Sequence, residues 1–350
     1  MGIVRAISPE LLEAPAQAWQ QNTKVTLEVM KERLTGKGIT MEEGSALYLK
    51  SLYRSGQSQT TIRRCYYYLK IFIEWCLMTG IEDLEISKTE VRSFLLYCKK
   101  DRNLGTVTLR MYYWKIKGLF TFLADQSFIS EHPMETFVLP TLGSKKIKRV
   151  LSEKDSSHLL ETVVTAYQAL PAHHLRFRFF TLRDLVILEL LLATGLRVSE
   201  LAALTIADVD LANGLLSVQG KGSDLYVKRN RMAFIDLPLL KADLNAYLSL
   251  RGGNKQDRLF PSKHNASMSP ATFDVMVKKW GQRAGIDQKL HCHLFRHTFC
   301  TRLVLNGADI YSVQKLMGHH DVETTLKFYL HFTPEEIEAD WKKFNPLGGR

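Results

Sequence analysis

Two arginines far apart in the chain have the chemistry to hold a phosphate. Arg197 stands two residues after Gly195 of Thr194-Gly195, at a predicted helix start, and Arg296 comes about a hundred residues later. A guanidinium is planar, stays charged, and bonds a phosphate through two parallel N–H groups. By itself, either arginine is more often a surface charge. His293 stands three residues before Arg296, so the two share one helix face and can address one phosphate. His297 follows Arg296 immediately and is expected to point elsewhere, into packing or a supporting position. Lys221 lies between Gly220 and Gly222 after a strand-like stretch, where glycines let a loop approach a ligand closely. Arginines, a lysine and histidines together suit phosphoryl transfer, which needs positive charge and hydrogen-bond donors around the nonbridging oxygens. The sequence has no acidic cluster suited to two-metal chemistry, no Walker loop and no nucleophile elbow. Cys292 lies among His291, His293 and His297, but the spacing matches no common zinc pattern; no metal or cofactor is expected.

The segment ATGLRVSELAALTIADVD, residues 193–210, resembles the first conserved box of the tyrosine recombinase (phage integrase, Xer-like) family. HLFRHTFCTRLVLNGADIYSVQKLMGHHDVETTLKFYLH, residues 293–331, resembles the second. No single short motif is strong; their joint order and spacing are specific. The resemblance implies that Arg197 and Arg296 clamp the phosphate with His293. It implies that His319, in Met317-Gly318-His319, helps hold the phosphate and position the nucleophile, and that Glu200 orients a neighbour. A lysine on the hairpin would protonate the leaving 5′ oxygen. Lys221 fits that place, with Lys228 as the alternative because SDLYVKRNRMAFIDLP is longer than the common version. Two adjacent positions compete for the nucleophile. Counting nine residues from His319 reaches Phe328, which has no hydroxyl; counting ten reaches Tyr329. Thr324-Thr325-Leu326-Lys327-Phe328-Tyr329, followed by Leu330 and His331, fits the second form and favours Tyr329.

These residues need elements to position them. Residues 42–130 read as four helices. Ile62, Tyr66, Leu69, Ile71, Phe72, Trp75 and Cys76 form a helical stripe that Ser58 or Thr60 can cap and Gly80 can end. Ser87 opens a third helix, and residues 106–124 give a fourth. Of Tyr66, Tyr67, Tyr68, Tyr112, Tyr113 and Trp114, most are expected in the core, because duplex DNA hides its base faces. Arg63, Arg64, Lys115 and Lys117 are candidates for phosphate contact. So are Lys145, Lys146, Lys148 and Arg149 in a linker with Pro133, Pro140 and Gly143. A second helical region begins near Ser152, with a strongly apolar helix from Leu182 to Ala193 ending at Gly195. Strand-like residues follow at 215–218 and 226–235, and helices resume from Pro238. The expected fold is mainly α with a small antiparallel β-sheet. The expected domains are an N-terminal extension (1–40), a helical core-binding domain (41–130), a basic linker (131–150) and a catalytic domain with a tail (151–350).

The net charge of +11, of which +8 falls in residues 141–350, suits a polyanionic partner. The five cysteines are odd in number and lack a CxxC, which fits a reducing cytoplasm. No apolar run is long enough for a membrane span, and MGIVRAISPE lacks an apolar signal core. The resemblance implies a site-specific recombinase. Its partner would be double-stranded DNA with specific target sites, acted on by a homotetramer holding two sites and exchanging strands through a Holliday junction. The tail EEIEADWKKFNP would dock on a neighbouring protomer or on its own domain. A type IB topoisomerase-like nicking and rejoining enzyme and an inactive DNA-binding relative are the alternatives.

Overall fold

The computed structural model describes residues 40–81, 84, 86–136, 150–220, 231–263, 267–319 and 322–329, except the side chains of residues 327–329. The chain divides into two compact units, Met1–Lys146 and Ile147–Arg350.

The first unit has four described helices: α1 (Met41–Arg54), α2 (Gln59–Met78), α3 (Lys88–Lys100) and α4 (Thr106–Asp125). Their starts follow from side chains that accept otherwise orphaned N–H groups. Thr40 and Glu43 form a capping box on α1, Ser58 accepts from the Thr61 N–H on α2, and Ser87 pairs with Glu90 on α3. The predicted stripe on α2 is buried at Ile62, Leu69, Phe72 and Cys76, and meets Phe94 of α3 and Phe120 of α4. Burying such side chains contributes about 1.5–3 kcal/mol each. Tyr66, Tyr112 and Tyr113 join this core, whereas Tyr67 and Trp114 are exposed.

The second unit begins with α5 (Glu153–Gln168), capped by Ser152, and α6 (Leu175–Thr194). The α6 helix starts seven residues before the predicted Leu182. The apolar run marks only its buried part, while the first turns mix arginines and aromatics. There Arg178 lies 4.3 Å over the Tyr167 ring and donates to the Leu170 carbonyl, so a polar stretch is still held in helix. Gly195 ends α6 in the left-handed conformation, at φ 59°. Next come the short α7 (Val198–Ala203), a 3-10 turn over Ile206–Asp208, and the strands β1 (Val209–Asp210), β2 (Leu215–Val218) and β3 (Arg231–Phe234). They form an antiparallel sheet in the order β1-β2-β3, with Val218 opposite Arg231. The two-residue β1 was not expected. Of the predicted strand 226–235, Arg231–Phe234 is strand, and residues 226–230 lie outside the described residues. The remaining helices are α8 (Pro238–Arg251), α9 (Pro270–Arg283), α10 (Cys292–Leu305), α11 (Ile310–Met317) and α12 (Val322–Tyr329). One core built on Val186, Leu190 and Leu191 of α6 takes in Leu244 of α8, Phe273 of α9 and Phe295 of α10. No described helix is long and apolar enough to cross a membrane.

Candidate active site

Gly195 makes the first half of the site possible. A Cβ there would lie 2.5 Å from Cδ1 of Phe299, and the positive φ strains any L side chain. The turn lets the chain reverse, so that Arg197 becomes the N-cap of α7 and Glu200 folds back onto it. Glu200 Oε2 accepts from the Arg197 backbone N–H at 2.9 Å, and Oε1 from the Arg197 guanidinium at 2.6 Å. The same carboxylate accepts from Arg231, the first residue of β3, at 3.1 Å.

The second half is the C-terminal end of α11. Its last carbonyls have no partner within the helix and carry the negative end of its dipole. Three guanidiniums cover them in sequence: Arg231 donates to the Leu316 carbonyl, Arg296 to that of Met317, and Arg197 to that of Gly318 at 2.9 Å. Arg296 is buried in α10 and also donates to the Gly195 carbonyl at 2.7 Å, so it ties the two halves together. Gly318 caps α11 at φ 59°, and a Cβ there would lie 2.8 Å from Cδ of Arg231. The next residue is His319, whose Nδ1 lies 2.9 Å from Oγ1 of the fully buried Thr325 on α12.

Electrostatics follow from this convergence. Burial, together with Arg197 and Arg231, pulls the Arg296 guanidinium down to about 9. Burial works against the Glu200 carboxylate, but the Arg197 N–H and the Arg231 and Arg197 charges outweigh it and hold the group below its usual range. Burial and then Arg296, Arg197, Arg231 and His297 push His319 down to about 4. The site is therefore cationic through its arginines rather than its histidine, and is preorganised for an anion.

Arg197, Glu200, Arg296 and His319 are thus brought together. His293 is exposed on the first turn of α10. His297, four residues after His293, has its ring centroid 5.2 Å from that of His293, and it is among the groups that disfavour a charge on His319. Lys221 and Lys228 lie outside the described residues, as do Leu330, His331 and the tail. Tyr329 is the last residue of α12, and its side chain and that of Phe328 are likewise outside. In the first unit Arg63 and Arg64 are exposed on α2, and Lys115 and Lys117 are half-buried on α4. Lys145, Lys146, Lys148 and Arg149 lie outside the described residues. Sequence reasoning missed Arg231 and Thr325. Arg231 sits in a basic stretch in which nothing distinguishes it, and Thr325 reads only as part of a motif. Among the described residues no group of three or more His, Cys, Asp or Glu side chains could hold a metal.

The profile of the phage integrase family matches residues 149–336. The tyrosine recombinase XerD of Shewanella oneidensis is 30% identical over 305 residues, covering 86% of this chain and 96% of that protein. XerD of Pseudomonas putida is 34% identical over 234 residues, covering 67% of this chain and 74% of that protein. Among solved structures, the XerH recombinase in a post-cleavage complex with its palindromic difH substrate aligns with a TM-score of 0.67 and 20% identity, over 86% of this chain and 83% of that one. The Tn1549 transposon integrase bound to transposon right end DNA aligns with a TM-score of 0.64 and 20% identity, over 87% of this chain and 99% of that one.

Proposed function

The chain belongs to the phage integrase family of tyrosine recombinases, and on that premise we propose that it is a site-specific DNA recombinase working through Tyr329. The observation that carries this reading is the convergence of Arg197 and Arg296 on the helix end that presents His319, with Thr325 of α12 bonded to His319. Tyr329 stands one helical turn after Thr325.

In the proposed reaction the Tyr329 oxygen attacks a DNA phosphorus. The Tyr329 hydroxyl gives up its proton to water, the Tyr329–phosphorus bond forms and the bond to the 5′ oxygen breaks, leaving a 3′-phosphotyrosyl link and a 5′ hydroxyl. A tyrosine hydroxyl has a reference pKa near 10, and surrounding cations lower the cost of its phenolate. Arg197 and Arg296 hold the nonbridging oxygens, His293 and His319 add hydrogen bonds, and Glu200 orients Arg197. Lys221, three residues beyond Val218 and so close in the chain to the strand partner of Arg231, gives its proton to the leaving 5′ oxygen. A 5′ hydroxyl from another strand reverses the step, so the energy of the phosphodiester is kept. The proposed partner is duplex DNA, with Arg63, Arg64, Lys115, Lys117, Lys145, Lys146, Lys148 and Arg149 on its phosphates. Four protomers on two sites exchange strands through a Holliday junction.

The test is to incubate the protein with a pool of random-sequence duplexes bearing nicks, which let the released fragment diffuse away and trap the covalent complex. Sequencing the trapped DNA identifies the target, and digestion locates the nucleotide-linked residue. The expected adduct is on Tyr329, and Tyr329→Phe forms none. An adduct elsewhere, or normal cleavage by Tyr329→Phe, overturns the assignment.

A further inference from the structure

The proposed reaction gives no role to the third guanidinium of the cluster. Arg231 opens β3 and is mostly buried, although the family motifs quoted above do not include it. One arm of its fork donates to Glu200 Oε2 at 3.1 Å and the other to the Leu316 carbonyl at 2.5 Å. Its Nε is buried and finds no partner among the described residues. Its Cδ lies where a Cβ on Gly318 would collide, so the arginine packs directly under the turn that leads to His319.

These contacts join three pieces of chain that share no local sequence: β3, α7 through Glu200, and the end of α11. Glu200 is the shared acceptor, because Arg197 occupies Oε1 and its own backbone N–H reaches Oε2 beside Arg231. A buried carboxylate keeps its charge and one orientation only while such donors surround it. Without Arg231, Glu200 can turn, and the Arg197 fork that it holds can turn with it. At the same time the Leu316 carbonyl loses its donor one turn before His319. A two-armed planar group can do both jobs; an ammonium, with one charged point, can do only one.

We propose that Arg231 is a positioning residue, which through Glu200 and the end of α11 keeps Arg197 and His319 aimed at the same anion. The inference rests on the reading that Arg197 and His319 address the scissile phosphate.

Two measurements on the full-length chain test it, with Arg231→Met, Arg231→Lys and Glu200→Gln. The first needs no DNA: the NMR signals of the Arg197 guanidinium protons. In the wild type they are expected as resolved, slowly exchanging signals, because two arms are bonded. In Arg231→Met they are expected to average and exchange fast while the protein stays cooperatively folded, and Arg231→Lys should lie between. Unchanged Arg197 signals in Arg231→Met overturn the proposal, whatever the enzyme does. The second is the single-turnover rate of adduct formation on the duplex recovered from the trapping selection, set against affinity for the same duplex. Arg231→Met is expected to slow the step roughly 10–100-fold with affinity within about threefold, and Arg231→Lys to recover part of the rate. The double variant Glu200→Gln with Arg231→Met should cost no more than the worse single change, because the two act as one unit. Additive losses, or a rate loss matched by an equal loss of affinity, overturn it. Should Arg231→Met not fold, Arg231→Lys and the Glu200→Gln comparison carry both measurements. Absence of any wild-type adduct would strike the functional reading alone, since the guanidinium signals report on positioning independently.

Discussion

His319 sits where three guanidiniums converge, and its charge follows from that position. A buried ring loses hydration when it is protonated, and the arginines repel the added charge. Together these push it down to about 4, so it is neutral at neutral pH. A neutral ring has one donor and one acceptor nitrogen. Nδ1 pairs with the Thr325 hydroxyl at 2.9 Å, and the tautomer decides which of the two donates. The sign for stability follows. The unfolded ring takes up its proton near its ordinary value of 6.5, while the folded ring resists until about 4. Folding stability is therefore full above about 6.5 and declines as pH falls through that window. In histidine NMR spectra of the free protein, the resonance lost in His319→Asn is expected to keep its neutral-ring shift from about pH 7 to about pH 5. A midpoint near the ordinary histidine value would contradict the buried, arginine-surrounded placement.

At the scale of elements, the helix that delivers Arg197 to the site carries a strained contact of its own. Glu189 on α6 is hydrogen-bonded to Asp243 on α8, and burial with the neighbouring carboxylate pushes Glu189 up to about 8. Its Oε2 is buried without a partner among the described residues. The folded state therefore keeps a proton that the unfolded chain releases near 4.5. The stabilising contribution is fully present below about 4.5 and is lost as pH rises through about 8, the opposite slope to that of His319. Glu189→Gln removes the titration and keeps a hydrogen-bonding side chain. Relative to wild type it is expected to gain progressively as pH rises from about 4.5 to about 8, by on the order of 1 kcal/mol per pH unit at most, and then to level off. Thermal unfolding of both proteins across that range checks this, and parallel curves would show that the pair does not titrate as described.

For the whole molecule, the governing quantity is the net charge of +11, most of it in residues 141–350. Each phosphate neutralised by lysine or arginine releases condensed counterions, adding about 0.9 to the slope of log affinity against log salt. If roughly five phosphates are neutralised, affinity for a random-sequence duplex falls about 500-fold between 50 and 200 mM salt. Fluorescence anisotropy on such a duplex measures the slope, and a nearly flat response would rule out phosphate contact as the main source of binding. Such phosphate contacts position a protein on the duplex and carry no sequence information directly.

What the sequence alone determined is local. Ser58, Ser87 and Ser152 start helices because a short oxygen before an apolar stripe satisfies N–H groups a few residues away. Gly195 ends α6 because a left-handed residue costs least without a Cβ. The spacing of His293 and Arg296 placed both on α10, and the two boxes pointed to Arg197, Glu200, Arg296 and His319 as partners. The full extent of α6 was not legible, since its first turns lack the apolar period. Nor was the hidden half of the site. Arg231 meets Glu200 and Leu316, 31 and 85 residues away in the chain, only because the sheet order brings the start of β3 beside the end of α11. Glu189 meets Asp243 only because α8 packs on α6. Periodicity and capping are encoded within a few residues of one another, so they can be read along the chain. Which buried donor finds which acceptor is set by how whole elements pack, and that is decided by the three-dimensional fold.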